Sequence, residues 1–283
     1  MNKRDMLRPK NEAPRGILHR RSDAPLAGYA RYWPDADLAP YIEHLWTVEW
    51  DLDAPHTSEV LTHPSFQLVV EQDASALAGV FTGRYRRVKQ GKGRVLGVKF
   101  HPGAIRPWIG RPASEYADRT VPLREPFGEE AEALERRALS QGSHAEAFAV
   151  IQEFLRSRRP PHDPTIELVS AIVRRVAADR TIVRVEQLVT GCAIPLRRLQ
   201  RLLGDYVGVG PKWIIQRYRL HEAAERIAAG GVRDFAALAF DLGYSDQAHF
   251  IRDFRRLVGY SPASYARSLA TPPAGADRPG PVR

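Results

Sequence analysis

Residues 199–214 and 250–265 carry one pattern written twice, and no other feature of the 283-residue chain constrains its fold as much. At an offset of 51 residues Leu199 falls on Phe250, Arg201 on Arg252, Leu203 on Phe254, Val207 on Val258, Gly208 on Gly259 and Pro211 on Pro262. Upstream the offset is 50, so that Leu188 falls on Leu238, Ala193 on Gly243 and Ile194 on Tyr244. The single-residue difference therefore sits at the start of each second helix. Apolar residues three and four apart mark one face of a helix, and the Gly-x-x-Pro that follows ends that helix and opens another. A repeat of this period is one supersecondary unit plus its connector. The residues predict two helix-turn-helix units.

Charge falls on the same half. The chain carries a net +9, yet residues 158–271 hold 18 Lys and Arg against 11 Asp and Glu, while residues 1–157 hold 22 against 21. A basic half that is also the repeated half is the electrostatic footprint expected for a polyanion. The single cysteine excludes an internal disulfide. Lys3, Arg4, Asp5, Arg8 and Lys10 interrupt any signal-peptide-like run at the amino end, and no apolar stretch is long enough to span a bilayer. These features predict a soluble, cytoplasmic protein with no membrane partner.

Along the chain the pattern changes three times. Residues 1–25 are charged and aperiodic and residues 271–283 are rich in Pro and Gly, so both ends are expected to be disordered. Residues 26–157 read as a small β-rich domain. In it Ile42, Trp46, Val48 and Trp50 share one face at period two, as do Phe66, Leu68 and Val70. Short strands follow at 77–81, 85–89 and 95–100, separated by Gly83, Gly91 and Gly93, and two helices after Pro126 close the domain. The prolines of 158–164 break the helical pattern and mark a linker. Residues 165–270 read as helix throughout. The fold class is therefore α+β, with a β-rich amino-terminal domain followed by an all-α double helix-turn-helix domain.

A recognition helix buries one face and offers donors and acceptors to base edges on the other. In the second copy Phe250, Phe254 and Leu257 take the inner face, leaving Gln247, Ala248, Ile251, Arg252 and Arg255 outside. In the first, Leu199, Leu202 and Leu203 point in, while Arg197, Gln200 and Arg201 point out. Arg can bond guanine at two points and Gln can bond adenine likewise, which is why these types matter here.

The run from Asp234 to Pro262, DFAALAFDLGYSDQAHFIRDFRRLVGYSP, resembles the signature segment of the AraC/XylS family of bacterial transcriptional regulators. The resemblance covers roughly residues 165–268. It implies a seven-helix unit in which one long helix, Pro211 to Ala229, holds two helix-turn-helix subdomains. Carried across by position, the DNA-binding residues are Arg197, Gln200 and Arg201 in the first copy and Gln247, His249 and Arg252 in the second. The first copy departs from the family pattern, with Ala193 where a turn glycine is common and Pro195 where a polar cap is common. The segments Leu38 to Trp46 and Gly97 to Gly103 resemble, more weakly, an uncharacterised β-rich domain that precedes such units in some regulators. That resemblance implies effector sensing or dimerisation. The partners it implies are double-stranded promoter or operator DNA, a small-molecule effector, a second copy as homodimer and, for an activator, RNA polymerase, in a bacterial, nucleoid-associated setting.

Other chemistries are weighed against this reading. His44, His56, His63 and His101, with Glu59 and Glu71, supply metal-ligand types, but the spacing shows no H-x-H or H-E-x-x-H and no metal is expected. Cys192 would serve a DNA-repair methyl acceptor or a redox sensor if its thiol were activated, yet Gly191 and Ala193 flank it with no base. Trp46, Trp50, Phe66, Phe81, Phe100 and Trp108 could line an apolar pocket or simply form a core. No G-x-S-x-G, P-loop or G-x-G-x-x-G occurs, so neither an enzyme nor a cofactor is expected. An interaction module that never touches DNA is the remaining alternative.

Overall fold

The computed structural model describes residues 28–270, and the expectations for residues 1–25 and 271–283 fall outside them. Strands β2 (Ile42–Val60) and β5 (Tyr85–Phe100) pair antiparallel and form the centre of the amino-terminal half. With β1 (Ala30–Tyr32), β3 (Gln67–Glu71), β4 (Ala76–Ala78) and β6 (Thr120–Pro122) they make a six-stranded sheet of order β1-β2-β5-β3-β4-β6. The long β5 differs from the sequence expectation, which broke it at Gly91 and Gly93. These glycines do not end a strand. Gly93 and Gly97 lie opposite Trp50 and Trp46 in the ladder, and a Cβ at either would collide with the facing indole. Missing side chains let the rings lie flat on the neighbouring backbone.

The face assignment of β2 also needs correction. A register shift between Ile42 and His44 turns the strand over, because a one-residue slip moves every later side chain to the opposite face. Ile42 and Leu45 enter the main core with Phe66, Leu68, Val98 and Phe100. Val48 and Trp50 instead join Val69 and Val95 on the other face, with Trp46 packed against them. The six aromatic candidates therefore do not line one pocket. Phe66 and Phe100 are core, Trp108 packs against it, the two other tryptophans lie across the sheet, and Phe81 pairs with Tyr85 at 4.9 Å.

After β5 come α1 (Arg106–Ile109), a 3-10 turn (Ala113–Tyr116) and α2 (Arg124–Phe127). Then α3 (Glu130–Leu139) and α4 (His144–Ser157) close the sheet as expected, burying Leu134, Phe148, Ile151 and Leu155. A capping box starts α4: the Ser143 hydroxyl accepts from the Glu146 N–H, and the Glu146 carboxylate accepts from the Ser143 N–H.

Seven helices follow among the described residues: α5 (Pro164–Ala178), α6 (Val185–Cys192), α7 (Leu196–Tyr206), α8 (Pro211–Ala228), α9 (Phe235–Asp241), α10 (Gln247–Val258) and α11 (Pro262–Ala270). Prolines open α5, α8 and α11, where the first helical turn needs no donor. The 18-residue α8 serves two cores. Its Ile214 and Ile215 join α5, α6 and α7 in the main core, while Leu220, Ala223, Ala224 and Ile227 pack with α9, α10 and α11 in a second. The main core runs without a break from the sheet into α5 and α7. Polar contacts reinforce that junction: the Ser170 hydroxyl donates to the Pro102 carbonyl at 2.8 Å, and Arg106 pairs with Asp205 at 3.0 Å.

Candidate nucleic-acid interface

The two helix pairs, α6 with α7 and α9 with α10, are built alike. Leu199 and Leu203 of α7 are fully buried, as are Phe250 and Phe254 of α10, and Val207 and Val258 lie beneath both helix ends. Gly208 and Gly259 follow with φ of 93° and 89°, the left-handed backbone that glycine adopts without steric cost. The turns before the second helices use Ala193 and Gly243, with φ of 54° and 80°. In the second unit Asp234 caps α9 by accepting from the Ala236 and Ala237 N–H groups. Asp246 caps α10 by accepting from the His249 N–H at 2.7 Å. In the first unit Pro195 precedes α7 with no side-chain cap, while the Gln187 side chain accepts from the Val183 and Arg184 N–H groups to fix α6.

Arg197, Gln200 and Arg201 all stand exposed on α7, and Gln247, His249 and Arg252 on α10. At about 100° per residue, Arg201 and Arg252 point directly away from the buried leucine and phenylalanine faces. Beyond these two the faces differ. By position along the helix, Gln247 stands where Leu196 does, His249 where Arg198 does, and Ala248 where Arg197 does. Arg255, placed on the outer face from sequence, is exposed as well, and so are Arg198 and Arg256, which were not among the sequence candidates. Residue type alone could have found them. No ion pair joins Arg197, Arg198, Arg201, Arg252 or Arg255 to an acidic group among the described residues. Together they place five guanidinium groups on the exposed faces of α7 and α10, a surface suited to a polyanion.

The second recognition helix is anchored through Asp253. Its side chain is only 12 % exposed, accepts from the Gln216 amide of α8, pairs with Arg256 at 3.2 Å and lies 3.4 Å from His249 Nε2. His249 also sets its ring edge-on to Tyr244, with centroids 5.3 Å apart. Half-exposed and tethered, it can both position the helix start and reach outward.

The β-rich half touches the carboxy-terminal end of both recognition helices. Gly208, after α7, packs against the Ala113 carbonyl of the 3-10 turn, and Gly259, after α10, packs against the Arg84 guanidinium. An open groove of about 510 Å³ lies between that turn and α7, lined by Pro112 and Ser114 on one side and Arg198, Arg201, Asp205 and Tyr206 on the other. The candidate metal ligands do not converge. Glu59 pairs with Arg84 and Arg86, Glu71 with Arg87, His44 with Glu43, and His63 stacks on His221. Cys192 is half-buried at the end of α6 and packs against the main core.

This arrangement defines a class: a helix-turn-helix protein in which one long helix joins two recognition units, preceded by a β-rich unit. The family matches agree with it. Residues 189–268 match the helix-turn-helix domain family of the AraC type, and residues 30–122 match a domain of unknown function. Residues 189–268 thus make up a helix-turn-helix domain of the AraC type. Among curated proteins nothing matches the chain. Among solved structures the chain is similar to ToxT of Vibrio cholerae in an apo form, at 12 % identity over 80 % of this chain and 97 % of that one, with a TM-score of 0.39. It is also similar to ToxT bound to (E)-4-(8-methylnaphthalen-1-yl)but-3-enoic acid, at 10 % identity, 79 % and 97 % coverage and a TM-score of 0.38. Among the described residues no helix is long and apolar enough to cross a membrane.

Proposed function

We propose that the chain is a sequence-specific transcriptional regulator that reads an operator through Arg197, Gln200 and Arg201 on α7 and through Gln247, His249 and Arg252 on α10. The observation that carries this reading is the pair of repeated recognition helices, each with a buried apolar face and an exposed Arg at the same position. The connecting α8 is roughly 27 Å long at 1.5 Å per residue, a span suited to placing two helices in successive major grooves on one side of DNA. Residues 165–270 act as the reader and residues 26–157 as the regulatory unit, with 158–164 between them. The regulatory unit binds a small-molecule effector or a second copy, and an activator would further engage RNA polymerase. The protein works in the bacterial cytoplasm and performs no catalysis.

Selection of bound sequences from random duplex DNA tests the reading. The expected result is one motif with two blocks about a helical turn apart. Retention of DNA without any motif would reduce the surface to a sequence-blind phosphate binder.

A further inference from the structure

The face of α8 that meets the β-rich half is built largely from groups that carry or gain charge. The His63 ring, between β2 and β3, stacks on the His221 ring of α8, with centroids 4.4 Å apart and planes 9° from parallel. His221 is 6 % exposed, and its Nε2 lies 3.4 Å from the Thr62 carbonyl. One turn earlier Arg217 is fully buried. Its Nη2 donates to the Phe81, Thr82 and Gly83 carbonyls at 2.7, 2.8 and 3.1 Å, its guanidinium lies 4.5 Å over the Trp213 ring, and its Nε and Nη1 have no hydrogen-bond partner.

The groups around the histidine pair oppose any further positive charge. Arg217 and Tyr218 face it from α8, Lys99 from β5 and Glu43 from β2. Glu43 is already engaged by Lys99 at 2.9 Å and by His44 at 3.4 Å. On the loop side Asp118 acts on Arg217, but it accepts from the Thr82 N–H and hydroxyl at 2.6 and 2.7 Å. Arg256 adds another cation beside Arg217. Burial pushes both imidazoles toward the neutral form, with Arg217 adding to the effect at His221 and the neighbouring His221 adding to it at His63.

We propose that this contact is an acid-labile latch: His63 and His221 hold the β-rich half against α8 only while both rings are neutral, and protonation of either parts them. Because Arg84, next to the 81–83 carbonyls that hold Arg217, packs against Gly259, release also loosens the end of α10. The inference goes beyond the DNA-binding reading and is tested without DNA. The sign follows from linkage. Released histidines regain their ordinary value of 6.5, whereas docked ones stay neutral, so the latch holds above that pH and weakens below it. Between about pH 7.5 and about pH 5.5 each histidine weakens docking roughly tenfold and the pair roughly 100-fold.

Hydrogen exchange of the full-length protein across that window, corrected for the intrinsic pH dependence of exchange, measures this directly. In the wild type, residues 61–66, 81–85 and 213–221 are expected to open roughly 100-fold more often at the acid end, while residues 147–155 of α4, which hold no histidine, stay protected. The double variant His63→Phe with His221→Phe keeps a stacked aromatic pair and removes the titration, so its opening should be flat with pH. A flat wild-type profile, or an acid response that survives in the double variant, would overturn the proposal. Should the double variant fail to fold, His63→Phe alone decides: a residual response of about tenfold supports the latch, and an undiminished one sinks it.

Discussion

Ala193 and Gly243 close the turns of the two recognition units with the same left-handed backbone, at φ of 54° and 80°. A residue with a Cβ is strained there by about 1–2 kcal/mol, and a stiffer unfolded chain returns about 0.4–1 kcal/mol of it. Ala193→Gly is therefore expected to stabilise the protein by roughly 0.5–1 kcal/mol. The check is a higher urea midpoint at unchanged slope. The reverse change, Gly243→Ala, adds a Cβ that meets the Val183 side chain, so it should lower the midpoint by more than its twin raises it.

Gly97 should tolerate no side chain at all. A Cβ there would enter the Trp46 indole lying across the strand pair. Gly97→Ala is expected to cost about 1–3 kcal/mol through overpacking, and pairing it with Trp46→Leu should recover most of the loss. If the double variant is no more stable than Gly97→Ala alone, the indole is not what excludes the methyl group.

These two sites show what the amino-acid sequence discloses and what it hides. The turns were legible because the repeat aligns Ala193 with Gly243 and fixes the helices on either side. The start of α10 at Gln247 and the burial of Phe250 and Phe254 follow from the same pattern. The strands were harder. Their period is two, so the bulge after Ile42 reversed which side Trp46, Val48 and Trp50 face. Gly93 resembles a breaker until the partner strand supplies Trp50 opposite it. The buried charges of α8 were not legible, since Arg217 and Arg219 are residue types that a helix packed on one side would turn to solvent, and His221, although on the stripe of Ile214 and Tyr218, meets its partner His63 only in the fold. Only a helix covered on several sides buries them, and that depends on contacts more than 100 residues away in sequence, such as Arg217 to the Phe81 carbonyl.

Asp163 joins the start of the DNA-binding half to its first recognition helix. It caps α5 by accepting from the Thr165 N–H at 2.9 Å and also accepts from the Tyr206 hydroxyl at 2.6 Å. Burial pushes this carboxyl up, but the bonds from Thr165 and Tyr206 outweigh it and hold it below the ordinary 3.8. A depressed carboxylate stabilises the fold above its unfolded pKa and loses that contribution as pH falls through the folded one. Asp163→Ala is expected to cost about 0.5–2 kcal/mol at neutral pH, and the gap to wild type should narrow below pH 3.8. A gap independent of pH would assign the loss to packing instead of the carboxylate.

Asp253 and Gln216 should behave as one unit. The bond between them ties α10 to α8, and either partner alone is left with a poorly solvated polar group. Each single alanine change is expected to destabilise by about 1–3 kcal/mol, and the double variant by clearly less than the sum. A double-mutant cycle with a coupling energy near zero would mean that the bond does not position the recognition helix.

Arg201 and Arg252 hold equivalent places on α7 and α10, whereas Arg198 and Arg255 lie off to the side of that common direction. If the first pair reads bases and the second holds phosphates, alanine at each should leave a different signature. Arg201→Ala and Arg252→Ala are expected to cost about 1–3 kcal/mol on the selected operator, to leave random DNA nearly unaffected, and to relax the preference at one block of the motif each. Arg198→Ala and Arg255→Ala should weaken both DNAs alike and lower the dependence of affinity on salt by about one counterion each. Binding isotherms at several salt concentrations, on operator and scrambled duplexes, separate the two patterns. Equal losses on both DNAs for Arg201→Ala and Arg252→Ala would move base reading away from the helix centres. Arg197 and Gln200 on α7, with Gln247 and His249 on α10, would then be the residues to change next.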